Sequence, residues 1–359
     1  MYIGAIVTVA GGGRMGEQAL PMSARTAEPT PARNSQLLFD TPVAFCEVLG
    51  EPLLNRVVKR LRASGVDQVS VISEGAKDKV TAIDQLVLGG NFWSAWDSVV
   101  SQYLHHGVEM LLLVRLGPYV EINVNEFVQF HRASASPITQ AYGSGRPLDI
   151  VLVDADSLRG GDTSYRNQFS TLLPHRAHFR SQGYVNSLSK PEDFRKLVSD
   201  GLSGACAIQP VGQEVRPGVW LGSNAAVDER AHLEGPVYVG ANARVGASCV
   251  ISGLSSIEEG CEVDCGSSID DCSVFPGTYV GMGLHVGHAL VSGAKLFSLV
   301  RNIEVAFGDR RLIASTLASR CQVTSTTTRF LRPMRSLSTT RLSSRMSKVA
   351  SLVSNRWLG

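Results

Sequence analysis

The first residues in the chain with the makings of chemistry are Gly11-Gly12-Gly13-Arg14-Met15-Gly16. They satisfy Gly-x-Gly-x-x-Gly, a run whose missing side chains let backbone N–H groups close on a pyrophosphate at a helix N-terminus. The surroundings do not fit a dinucleotide site. Pro21, Pro29 and Pro31 break any helix that should follow, and no second strand ending in Asp or Glu comes about 20 residues on. Gly11, Gly12, Gly13 and Arg14 therefore stand as a nucleotide-binding candidate without a complete site. His232, His285 and His288 are the next candidates, since a histidine acting as general base deprotonates a hydroxyl or an amine. None comes with a loop excursion or a carboxylate placed to orient it, so a surface or structural role is expected. The seven cysteines include no Cys-x-x-Cys, which removes the zinc and dithiol readings. No catalytic residue and no metal ligand is assigned.

The elements that must hold these residues alternate in type. Residues 2 to 10 read as a buried strand that runs straight into the glycines, and residues 15 to 36 as a mobile loop. Val48-Leu49-Gly50-Glu51-Pro52-Leu53-Leu54 is followed by Val57, Val58 and Leu61 at helical spacing, with Pro52 suited to a first turn and Gly65 to a C-cap. Further strands are expected over 66 to 73, 109 to 116 and 148 to 153, and helices over 123 to 133 and 191 to 202. Residues 74 to 107 look mostly helical with a break at Gly89-Gly90-Asn91, and 169 to 181 are ambiguous. This alternation implies a parallel α/β layer structure.

The second half has a different period. Every sixth residue from Val215 is apolar: Val215, Leu221, Val227, Leu233, Val239, Val245, Ile251, Ile257, Val263, Ile269 and Phe275. Four residues after each anchor stands a mostly small one, Cys249 and Cys261 among them. Period six matches neither a helical stripe nor plain strand alternation, and marks stacked units that share one core. Strings such as Val239-Gly240-Ala241-Asn242-Ala243-Arg244 resemble the hexapeptide repeat of the left-handed parallel β-helix. In that family three hexads make one coil, and Gly or Asn takes corners where φ is positive. The hexads are expected to keep one register to Val280 and then slip, with residues 296 to 312 covering the open end.

Taken together, four segments ahead of the repeat resemble the sugar-1-phosphate nucleotidyltransferases. They are Ala5-Ile6-Val7-Thr8-Val9-Ala10-Gly11-Gly12-Gly13-Arg14, Val48-Leu49-Gly50-Glu51-Pro52-Leu53-Leu54, Phe127-Val128-Gln129-Phe130-His131-Arg132, and Gly183-Tyr184 with Pro191-Glu192-Asp193-Phe194. The resemblance implies a Rossmann-like α/β/α sandwich over residues 1 to 205, a left-handed β-helix over 206 to 295, and a cap and basic tail over 296 to 359. It also implies attack of a sugar phosphate on a nucleoside triphosphate, helped by a glycine loop, a phosphate-binding lysine and carboxylates on Mg²⁺. Several of those groups are missing. The glycine loop is one residue short, the lysine aligns with Val43, and the first metal-binding Asp aligns with Leu116-Gly117-Pro118. The second metal-binding Asp aligns with Ser187, and the stretch from Gln140 to Leu148 is too short for the family's sugar-contacting segment. Each charge-stabilising group is worth roughly 10² to 10³ in rate, so three losses imply about 10⁶ or more. The expectation is a pseudoenzyme, a regulatory or scaffold subunit in nucleotide-sugar or envelope-polysaccharide synthesis that takes no cofactor. The alternatives are an active nucleotidyltransferase with relocated ligands, which would use Mg²⁺, and a hexapeptide-repeat acyltransferase.

Charge is unevenly spread. Residues 310 to 359 hold nine Arg, one Lys and no acid, a charge of +10, which leaves −8 on the rest of a chain of net charge +2. An acidic body speaks against nucleic acid as a partner, and a basic end suits an anionic surface. Leu342, Met346, Val349, Leu352, Val353 and Trp357 recur at helical spacing beside Arg341, Arg345 and Lys348. Residues 320 to 359 are therefore expected to meet anionic lipid or an acidic protein. The expected setting is cytoplasmic, peripheral at the inner face of the membrane, with homo-oligomers forming through the β-helix and a nucleotide or sugar phosphate as ligand.

Overall fold

Seven strands make up the sheet that the apolar runs of the first half require. They are β1 (Ile3–Val9), β2 (Gln68–Ser73), β3 (Gln85–Leu88), β4 (Met110–Leu116), β5 (Ile138–Gly143), β6 (Arg146–Asp154) and β7 (Ala177–Arg180), lying in the order β3-β2-β1-β4-β6-β5-β7. Only β6 is antiparallel to its neighbours β4 and β5; the other pairs are parallel. The computed structural model describes residues 2 to 9, 37 to 73, 85 to 88, 92 to 143, 145 to 159 and 164 to 316. Met1–Leu317 forms one compact unit.

Five helices cover both faces: α1 (Leu53–Ala63), α2 (Phe92–His105), α3 (Val124–Ser134), α4 (Tyr165–Leu172) and α5 (Pro191–Leu202). Ile3, Ala5, Val7 and Val9 share a core with Leu54 and Val58 of α1, Phe127 of α3 and Leu197 of α5. Ile6, on the other face, packs with Trp96 and Tyr103 of α2 and Phe169 of α4. Every residue of β1 is buried, as a strand covered on two sides requires.

Local chemistry sets the helix ends. Asn123 caps α3 by accepting from the Glu126 N–H and donating to its carboxylate, and Asp193 accepts from the Lys190 N–H at the start of α5. The helical pattern expected up to residue 107 gives way to the strand β3. Its four residues, Gln-Leu-Val-Leu, are too short and too β-prone to sustain a helix ahead of α2. The ambiguous 169 to 181 stretch splits, with the end of α4 first and β7 after Pro174.

Beyond Gln213 the strands are two to eight residues long, and each pairs in parallel with a later one. Val219 faces Val237, Val227 faces Val245, Leu233 faces Ile251 and Val239 faces Ile257, so the chain meets itself 18 residues on. Most hexad anchors and their small partners form one core, from Val239 and Ala243 to Ile269. Two parts of the expected register are corrected. Val215 is exposed, because Gln213–Arg216 folds back antiparallel on Val219–Leu221. The slip also comes earlier than Val280: Ile251 faces Ile269 at 18 residues, but Ile257 faces Val274 and Ile269 faces Val286 at 17. One residue is lost at the corner where Asp271 takes φ 47°. Phe275 consequently leaves the stack and joins the α/β core, stacked on Phe194 at 5.2 Å.

The segment after the stack is strand rather than an irregular cover. Lys295–Ser298 and Ile303–Ala306 extend one sheet edge antiparallel, and Ile313–Ser315 pairs antiparallel with Thr278–Val280. The loop expected over 15 to 36, the break at 89 to 91 and the basic tail from 320 lie outside the described residues.

Candidate functional site

Strand order reverses between β1 and β4, and in open sheets of this kind ligands sit outside the carboxyl ends of the strands at such a switch point. β1 points Val9 there, with Gly11, Gly12, Gly13 and Arg14 next in sequence and outside the described residues. β4 points Leu116, Gly117 and Pro118 there. Immediately beyond, Tyr119–Val120 pairs antiparallel with Val185–Asn186. Gly183 fits below this pair because it has no side chain: a Cβ would stand 1.7 Å from the Glu121 carbonyl oxygen.

The acids around this head are engaged. Glu121 Oε1 accepts from the Tyr119 hydroxyl at 3.0 Å and the Ala207 N–H at 2.6 Å, and lies 3.8 Å from Arg60 Nη1. Asp193 Oδ2 accepts from Ser187 Oγ, Ser189 N, Ser189 Oγ and Lys190 N at 2.7 to 3.2 Å. Burial pushes the Asp193 carboxyl up, and these hydrogen bonds outweigh it, so the group sits below its ordinary value. Asp200 accepts from the Tyr184 hydroxyl, and Asn186 donates to Tyr184 Oη and to the Asp193 carbonyl. Burial, followed by Glu121, raises the Tyr119 phenol above its usual range, and burial with Asp200 does the same to Tyr184.

Ser187, which stands where the resemblance puts a metal-binding Asp, is thus part of the α5 cap. Mg²⁺ wants nearly octahedral oxygen ligands with open carboxylate lone pairs. Among the described residues no group of three His, Cys, Asp or Glu side chains is arranged to hold a metal ion. The described residues at the head therefore do not fit the ion.

His131, in a segment that carries the resemblance, lies at the other end of the sheet. It is buried, with Nδ1 2.6 Å from Thr139 Oγ1 and Nε2 3.1 Å from Asp154 Oδ1, and it pins α3 to β5 and β6.

The histidines of the repeat need a correction. His288 Nδ1 is 2.6 Å from Asp271 Oδ2, and Asp271 Oδ1 is 2.9 Å from Nη2 of the buried Arg195. An orienting carboxylate is therefore present. Asp271 stands 17 residues earlier on the neighbouring strand, a spacing visible only once the slip is known. His232 Nε2 lies 3.3 Å from Glu234 Oε1, and His285 bonds Ser268 Oγ through Nδ1. The cysteines Cys46, Cys249, Cys261 and Cys272 are buried and free, and burial raises their thiols, to about 12 for Cys46, Cys261 and Cys272.

No protein-family model matches the chain. Over 108 residues the chain is 36% identical to a UTP–glucose-1-phosphate uridylyltransferase of Synechocystis sp. (strain ATCC 27184 / PCC 6803 / Kazusa). The match covers 30% of this chain and 28% of that relative's length. It supports a relationship to the sugar-1-phosphate nucleotidyltransferases. No helix among the described residues is long and apolar enough to cross a membrane.

Proposed function

We propose that the chain is a sugar-nucleotidyltransferase-like protein with a degraded site, acting as a regulatory or scaffold subunit in nucleotide-sugar or envelope-polysaccharide synthesis. In this reading the seven-stranded sheet is the Rossmann-like domain, and the ladders from Val219 to Val291 are the coils of a left-handed β-helix. One observation carries it: Glu121 and Asp193, the acids nearest the expected metal positions, spend their oxygens on Tyr119, Ala207, Ser187, Ser189 and Lys190. The partial likeness to a uridylyltransferase supports the ligand class, a nucleotide or sugar phosphate held near Gly11 to Arg14. The test incubates the purified full chain with UTP, glucose 1-phosphate and Mg²⁺. No UDP-glucose above background is expected, and sustained turnover would overturn the reading. A thermal-shift series with the same compounds, with and without Mg²⁺, reads binding separately. Oligomers through the stack, and contact of residues 320 to 359 with anionic lipid or an acidic protein, complete the proposal. Retention on anionic vesicles should vanish when those residues are removed.

A second reading, a hexapeptide-repeat acyltransferase, is favoured by the Arg195–Asp271–His288 relay. Asp271 fixes the tautomer, which leaves Nε2 of the half-exposed His288 to take a proton from an acceptor hydroxyl or amine. Acetyl transfer from acetyl-CoA that is lost in His288→Ala would establish it.

A further inference from the structure

The stack and the α/β region meet through a buried carboxylate. Glu258 is 2% exposed, and its two oxygens accept from the Leu49 N–H at 3.0 Å and the Gly50 N–H at 2.8 Å. The turn is built for that grip. Leu49 and Gly50 both take left-handed conformations, φ 55° and 89°, which aim successive N–H groups at one point. Gly50 is required twice over, since a Cβ there would lie 2.2 Å from Tyr238 Oη. Behind the turn Arg56 donates to the carbonyls of Val48, Leu49 and Gln209, and so holds the turn without bonding the carboxylate.

The groups that face Glu258 do not all favour its charge. Glu47, buried on the α/β side, opposes ionisation, and Arg56 supports it. From the stack side come Tyr238 and Cys261, whose own protons Glu258 helps to retain. Burial comes first and Glu47 second in pushing the carboxyl up to about 7; the Gly50 and Leu49 N–H groups and Arg56 pull the other way.

We propose that Glu258 is a proton-operated latch: the stack grips the Leu49–Gly50 turn while the acid keeps its proton, and the grip loosens as the acid ionises. The sign follows from linkage. Once the junction opens, Glu258 meets water and returns to its ordinary value of 4.5, so between 4.5 and about 7 the closed form holds the extra proton. The latch is at full strength below 4.5 and is lost progressively as pH rises through about 7. The turn feeds α1, whose Arg60 reaches Glu121 beyond β4, so the opened state also frees the support of the candidate site.

Amide exchange at Leu49 and Gly50 in the full chain reads the latch directly. After correction for intrinsic rates, exchange should quicken about tenfold between about pH 5.5 and about pH 8. Glu258→Gln should flatten that dependence. Glu47→Gln, which removes the opposing charge and leaves the carboxyl in place, should move the midpoint downward. Corrected exchange that ignores pH in the native protein, or a dependence that survives Glu258→Gln, overturns the proposal. If Glu258→Gln does not fold, Glu47→Gln decides: a lowered midpoint supports the latch and an unmoved one overturns it. None of these readouts depends on nucleotide or sugar binding, so the latch and the proposed function fail separately.

Discussion

The head of the sheet and the junction with the stack both concentrate polar side chains, and they treat them differently. At the head, Glu121, Asp193, Asp200, Tyr119 and Tyr184 satisfy one another at the surface or half-buried. At the junction, Arg195 and Glu258 are taken almost wholly out of water, and each is bonded to main chain of the other region. Burying a charge is costly unless its partners are complete, so such charges mark where geometry is fixed most tightly. The difference teaches that this chain commits its polar groups to holding two regions in register, whereas the place expected to do chemistry has been closed by ordinary surface hydrogen bonds.

The sharpest way to break that contrast is Arg195→Ala. It strips the Gly253 and Leu254 carbonyls of a donor and Asp271 of its counter-ion. The loss should be about 3 to 5 kcal/mol in urea unfolding. A cost near that of a surface residue would show the junction to be no more than a loose contact. Next comes Phe275→Ala, which empties the space against Phe194 and Phe39 and should cost about 3 kcal/mol by the same measurement. At the head, Glu121→Gln removes the charge facing Arg60 but keeps the hydrogen-bond shape, and about 1 kcal/mol is expected. A larger loss there would erase the distinction between the two places. Smallest of all is Asp309→Asn. Arg311 holds that carboxyl down at about 2, yet both groups are fully exposed, and the unfolding midpoint should not move.

The periodic elements were the most legible. β1, β4, α1, α3, α5 and the anchors from Leu233 to Ile269 follow from spacing, because a buried face repeats at the period of its element. β3 was hidden because four apolar-leaning residues carry no period, and β5 because Ile138–Gly143 alternates weakly and contains a register shift against β6. The slip at Asp271 was masked by coincidence: Phe275 is apolar and sits where an eleventh anchor was due, although it faces α5. The candidate site was legible only by loss, as Val43, Pro118 and Ser187 standing where charged groups were expected. The Asp271–His288 pair and the Glu258 latch join residues 17 and about 208 positions apart, and no local pattern reveals such contacts.

The shortened corner at Asp271 has a further consequence. A lattice of identical rungs offers a neighbour many equivalent berths, and a helix laid along it could settle one rung too high or too low. Dropping a single residue spoils that equivalence at one level only. Phe275 is turned outward and Asp271 is set beside Arg195 there, so α5 finds one address on an otherwise self-similar surface.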